Sequence, residues 1–221
     1  MRMKEQYFSP ETIETESAAM IEEVKNYSGV RTFQPKSGKM ALLVIDMQYY
    51  FLKEDEHAFI PSAPVILPNI LKLMKACKGL LIPVILTRHL NTDEDAGMMG
   101  IRWNELIKAD DARSEIYADI LSMGGEVLEK SQFDAFYKTG LEEKLRQKGI
   151  EQLIICGVMT NLCCETTARS AFVHGFDVVM PVDATAAYNY EFHLAAFLNL
   201  SYMFARPMNT FSLINKLLNA W

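Results

Sequence analysis

Three residues of complementary chemistry occupy matching places along the chain. Asp46 follows the apolar run ALLVI, Lys130 closes EVLEK, and Cys163 stands a few residues beyond QLIICGV. A carboxylate can take and return a proton, a thiolate can attack a carbonyl carbon, and a nearby ammonium favours the thiolate. Together they make a workable triad without histidine. Each alone has an ordinary reading, since an Asp after a strand caps a turn, a Lys is usually solvated and a Cys near an apolar helix is usually core. Their coincidence at the ends of successive strands weighs against three such accidents. The segment GVMTNLCCETTARSAF combines a strand exit at Gly157, turn residues Thr160 and Asn161, and two cysteines opening a helix. A helix amino terminus favours negative charge, so a thiolate there is expected to have a lowered pKa, with backbone N–H groups at hand for an oxyanion. Cys164 is expected to face the core, although a shift of one residue would exchange the two roles.

The elements that must position these residues are legible as apolar runs. ALLVI after Met40, Ile82 to Thr87, Glu126 to Lys130, Gln152 to Val158 and Phe176 to Val182 read as strands, with a weak sixth near Met208 to Thr210. Helical segments fall at Pro64 to Lys78, Thr139 to Lys148, Leu162 to His174 and Tyr190 to Ala205. Such alternation predicts a single-domain α/β fold, a three-layer α/β/α sandwich around a parallel, doubly wound sheet of about six strands. In that architecture ligands bind beyond the carboxyl ends of the strands, where strand order reverses. Between Asn91 and Ile116 the periodicity breaks down, predicting a loop or lid with short helices in which Trp103 can line a pocket. Residues 1–39 read as an N-terminal helical arm, with a cap at Ser9-Pro10-Glu11 and a helix through Met20 and Val24. The body is then residues 40–221. The arm's apolar residues Tyr7, Phe8, Ile13, Met20, Ile21 and Val24 need a surface to cover, on the same subunit or on a neighbour.

Composition narrows the partners. With 221 residues, 50% hydrophobic and 23% charged, and a net charge of −6, the chain has no basic footprint for nucleic acid. A small-molecule substrate fits better. The longest apolar runs are strand-sized and the amino terminus shows no export signal, so no membrane role is expected. Cys77, Cys156, Cys163 and Cys164 lack ligand spacing, as do His57, His89, His174 and His193. Reduced thiols in a cytoplasmic protein, with no metal and no other cofactor, are the expectation.

The blocks ALLVIDMQYYF, EVLEKSQFDAF and ICGVMTNLCCETTARSAFVHGFDVVMPVDATAAYN resemble, in order, the signature blocks of the isochorismatase-like cysteine hydrolases. That superfamily includes nicotinamidases, N-carbamoylsarcosine and ureidoacrylate amidohydrolases, and isochorismatases. The resemblance covers about Met40 to Tyr202. It implies Asp46 as general acid/base, Lys130 as the group lowering the thiol pKa, Cys163 as nucleophile, and the amides of Met159 and Cys163 as an oxyanion hole beside a cis Val158-Met159 peptide. It further implies a substrate surrounded by Gln48, Phe51, Arg88, His89, Trp103, Phe133, Tyr137 and Thr160, with Arg88 as the candidate for a substrate carboxylate. It also implies a homo-oligomer, a dimer or larger, and the arm is expected at its interface. Nicotinamidases resemble one another in an Asp-x-His…His metal site, whereas this chain reads TRHLNTDED. Isochorismatases proper commonly carry glycine where Cys163 stands. These features favour metal-independent hydrolysis of a small amide, ureide or carbamoyl compound through an acyl-enzyme. The alternatives are vinyl-ether hydrolysis releasing pyruvate, and a non-catalytic binding protein on the same fold.

Overall fold

The run MALLVI forms β1 (Met40–Ile45), buried at every residue, as a parallel strand covered on both faces must be. The computed structural model describes residues 3–29, 32–103 and 105–221. The remaining strands are β2 (Val84–His89), β3 (Glu126–Lys130), β4 (Gln152–Val158), β5 (Asp177–Pro181), β6 (Thr185–Ala186) and β7 (Ala205–Met208). All pair in parallel in the order β3-β2-β1-β4-β5-β7, and β6 joins the end of β4. The chain winds outward from β1 to β3, then returns to the other side of β1 as β4. Strand order therefore reverses between β1 and β4, where a crevice opens beyond their carboxyl ends.

The helices are α1 (Ile13–Lys25), α2 (Tyr49–Leu52), α3 (Ala63–Gly79), α4 (Met99–Arg102), α5 (Ala118–Ser122), α6 (Leu141–Gln147), α7 (Glu165–Val173), α8 (Tyr190–Met203) and α9 (Thr210–Ala220). α3 and α9 pack together in one layer, and α8 contacts both α1 and α7. This is the three-layer α/β/α sandwich expected. Several boundaries differ from the sequence reading. β2 starts and ends two residues later than expected, the sixth long strand lies at Ala205–Met208, and α9 was not anticipated. The lid region holds α4 and a 3-10 turn at Ala112–Ser114, and it rejoins the body through a bridge between Gln48 and Ile116.

One glycine sets the closeness of β1 and β4. Gly157 pairs with Ile45 at φ +106°, and a Cβ there would lie 2.1 Å from the Ile45 carbonyl oxygen. Only glycine allows this approach.

The arm covers its own subunit: Phe8, Ile13, Met20 and Val24 are buried within this chain. The amides of Tyr7 and Phe8 donate to Ser62 Oγ (3.1 and 3.2 Å), Ala187 N donates to Tyr7 Oη (2.9 Å), and Glu5 N donates to Tyr188 O (2.8 Å). Of the apolar residues that motivate an intersubunit role, Phe8, Ile13, Met20 and Val24 are thus buried, and Tyr7 and Ile21 are partly buried against the same core. A chain beginning at Ser37 is therefore expected to lose stability. At about 1.5–3 kcal/mol per buried large side chain, the loss amounts to several kcal/mol. A urea midpoint equal to that of the full chain would contradict this.

Candidate functional site

Asp46 leaves β1 in the left-handed region, at φ +49°, where aspartate is among the more tolerant residues. Thr87 on β2 holds it there: its hydroxyl donates to Asp46 Oδ1 (2.6 Å) and accepts from the Asp46 amide (3.0 Å). Oδ2 is left facing Lys130, whose Nζ lies 2.7 Å away, with neither side chain exposed. Register explains the meeting, because His89 at the end of β2 pairs with Lys130 at the end of β3.

Four acceptors surround the Lys130 ammonium. Besides Asp46 Oδ2 they are His89 Nδ1 (3.1 Å), the Gln132 carbonyl (3.0 Å) and Cys163 Sγ (3.4 Å). Since an ammonium only donates, His89 accepts at Nδ1 and carries its proton on Nε2, which donates to Asn91 Oδ1 (2.9 Å). Cys163 sits in a π-helical turn, Thr160–Cys164, ahead of α7. Within it the Met159 carbonyl accepts from the amides of Leu162 and Cys164, on either side of Cys163. The Val158–Met159 peptide is cis.

The charge state of the cluster follows from burial and pairing. Burial, the largest influence, opposes the charge on Asp46, but the Lys130 ammonium, His89 and the Cys163 hydrogen bond together outweigh it and hold the carboxyl below its ordinary range. Burial likewise opposes the Lys130 charge, and Asp46 and Cys163 more than restore it. The Cys163 thiol is pushed up, first by burial and then by the Asp46 carboxylate, against the smaller pull of Lys130. This reverses the expected lowered thiol pKa. The helix start lies further on, and the site is too dry and too close to a carboxylate. At rest the group is carboxylate, ammonium and thiol.

Burial, and then the Lys130 charge, lower His89 to about 4. Burial alone lowers His193 to about 3; it lies behind the turn with Nδ1 2.8 Å from Thr160 Oγ1. Both values fall below the ordinary 6.5, so the unfolded chain binds more protons than the folded one as pH drops below that value. Stability should then fall from about pH 6.5 toward 4, by up to about 2.7 kcal/mol per pH unit for two protons. Proton uptake well under one on unfolding near pH 5 would contradict this.

A small apolar pocket has Cys163 in its lining. Phe51, Trp103 and Phe133 wall it, with His89 and Met159 also on its lining. Trp103 is fixed by its indole N–H donating to Tyr50 Oη (2.9 Å). Of the expected substrate residues, four lie elsewhere. Arg88 points off the opposite side of β2 and binds Ser114, Glu115 and Glu129. Gln48 spends its amide on the backbone of His89 and on Ser114 O. Thr160 turns inward to His193. Tyr137 lines a separate groove. Asn91 and Met99, not anticipated, line the pocket. Asn91 carried a signal in its spacing two residues beyond His89.

Asp46, His89 and Cys163 bring one ligand atom each within 4.8 Å of one another. Lys130 Nζ already lies within 3.4 Å of all three, so a positive charge occupies the place a cation would take. The donors do not fit the Asp-x-His…His pattern either, because Asn91 follows His89 and is bonded to it.

A family model described as the isochorismatase domain matches residues 40–212. Nicotinamidase 3 of Arabidopsis thaliana is 42% identical over 180 residues, which span 79% of this chain and 87% of that protein. Enterobactin synthase component B of Escherichia coli (strain K12) is 32% identical over 179 residues, spanning 79% of this chain but only 60% of the relative. Among solved structures, a cysteine hydrolase from Pseudomonas syringae pv. phaseolicola superposes with a TM-score of 0.81 at 24% identity, over 86% of this chain and 97% of the other.

Proposed function

The chain belongs to the isochorismatase domain family, whose members include hydrolases, and on that premise we propose that it hydrolyses the C–N bond of a small, uncharged amide through Cys163. The observation that carries this is the convergence of Asp46 Oδ2, Lys130 Nζ and Cys163 Sγ at an apolar pocket that Cys163 lines. Asp46 takes the thiol proton as the thiolate attacks the amide carbonyl, and the amides of Met159 and Cys163 receive the developing oxyanion. Asp46 then returns the proton to the departing nitrogen, the C–N bond breaks, and a thioester remains. A water activated by Asp46 cleaves the thioester, releasing the acid and restoring the thiol. Throughout, the Lys130 ammonium offsets whichever of Asp46 and Cys163 is negative.

The lining supports a flat, neutral substrate of the kind the nicotinamidase relative's name implies. Aromatic rings at positions 51, 103 and 133 suit a planar ring, and Lys130 is committed to Asp46. Among the described residues the pocket lining holds no Lys or Arg to meet a doubly charged isochorismate, and Arg88 is engaged elsewhere. Testing nicotinamide, small ureides and isochorismate for ammonia or pyruvate release, with Cys163→Ala as control, decides between the two chemistries. Pyruvate release that survives the substitution would overturn the amide reading.

Because Lys130 supplies the cation, exhaustive dialysis against a chelator is expected to leave turnover unchanged. Loss of activity restored by zinc would contradict this. A cytoplasmic setting belongs to the same reading, supported by four free, buried thiols, and among the described residues no helix is long and apolar enough to cross a membrane. A homo-oligomer is also part of it, with the interface away from the arm's covered side chains.

A further inference from the structure

The Lys130 ammonium has three protons and four acceptors, Asp46 Oδ2, His89 Nδ1, the Gln132 carbonyl and Cys163 Sγ. We propose that His89 is a positioning residue acting through Lys130: together with the Gln132 carbonyl it engages two ammonium protons, leaving one to follow the negative charge as it moves between Asp46 and Cys163. This rests on the cysteine-hydrolase reading above. In the resting state the charge is on Asp46 and the free proton points there. When the thiol gives its proton to Asp46, the charge passes to sulfur and the same ammonium proton turns to Sγ. No bond to lysine breaks. The net change is one proton moved from sulfur to oxygen.

His89 is held for this task from two directions. Gln48 clamps its backbone, with Oε1 accepting from His89 N (2.8 Å) and Nε2 donating to His89 O (3.0 Å). Asn91 accepts the Nε2 proton, and its own amide donates to the Ser131 carbonyl (2.8 Å) and to Asp95 Oδ1 (3.2 Å). The charged or titratable groups acting on the ring are Lys130, Asp46, Cys163 and, beyond Asn91, Asp95. Burial and the adjacent ammonium keep it neutral, the only state in which Nδ1 can accept.

The experiment combines steady-state kinetics with the pH dependence of Cys163 alkylation by iodoacetamide, followed by mass spectrometry of the Cys163 peptide. In His89→Leu a second ammonium proton is released to the sulfur, so the alkylation inflection should fall by about one pH unit. Amide kcat should drop about tenfold or more with KM within about threefold. His89→Asn, which keeps an acceptor near the place of Nδ1, should restore most of the loss. Asn91→Asp keeps the ring but favours its protonated form, so the acid limb of kcat should move up by at least about one pH unit. This variant carries the test alone if His89→Leu fails to fold. An unchanged kcat with raised KM in His89→Leu, an unmoved alkylation inflection, or an Asn91→Asp profile superimposing on wild type would overturn the proposal. If the wild-type chain turns over no amide, the functional reading fails, and the alkylation profiles still decide the role of His89.

Discussion

Cys163→Ala is expected to lower amide turnover by at least about 10,000-fold, a loss of the size seen when a nucleophile acting as part of a unit is removed. Cys164→Ala should retain most of the activity. The two thiols are adjacent, but Cys163 lines the pocket while Cys164 is wholly buried in the core behind it, with its thiol pushed well up, first by burial. Truncating Cys164 leaves a small cavity and costs about 1 kcal/mol or somewhat more, without touching the acyl-transfer path. Parallel kinetics and urea unfolding separate the outcomes. A dead Cys164→Ala variant beside an active Cys163→Ala variant would exchange their roles.

The second large effect concerns the Asp46–Lys130 pair, which sits with no exposure on either side chain. Lys130→Met should cost about 3–5 kcal/mol, because it strands a buried carboxylate rather than merely deleting an attraction. Asp46→Asn should cost a comparable amount by stranding the ammonium. Asparagine tolerates the left-handed backbone at this position, so strain does not confound the comparison. The double variant Asp46→Asn/Lys130→Met leaves no unpaired charge and should recover most of the lost stability while remaining inactive. Unfolding free energies of all four chains give the coupling directly. Single variants costing under about 1 kcal/mol would mean that water reaches the pair.

The fold was legible where burial on both faces leaves a continuous apolar run. β3 and β4 begin and end where the runs do, and β1 occupies the run ending before Asp46. The apolar run of β2 stops at Thr87, yet the strand continues through Arg88 and His89 to pair with β3. The resemblance places Arg88 and His89 together in the site, and the strand separates them. Once the strand extends to His89, period-2 alternation sends neighbours to opposite sides, so only one can enter the site. α9 was missed although Leu213 and Leu217, four residues apart, are its buried stripe. The thiol's charge state lay beyond the sequence for a different reason. It is a balance between desolvation and two neighbouring charges of opposite sign, and only assembled distances fix that balance. Gln48 and Thr160 are polar residues near the proposed triad, but the partners that turn them away, Ser114 and His193, lie 66 and 33 residues distant along the chain.

The missing side chain at Gly157 has a consequence for any mutational survey of this protein. Asp46 and Cys163 follow the two strands that meet at this point, so the gap between carboxylate and thiol inherits its tolerance from the space one methyl group would fill. Replacement by alanine would wedge the strands apart at the mouth of the crevice, and the bulk would be transmitted to the reacting atoms. In a saturation library Gly157 should therefore score among the least replaceable positions although it touches no substrate. A ranking built on activity alone would mistake this spacer for a member of the chemical machinery.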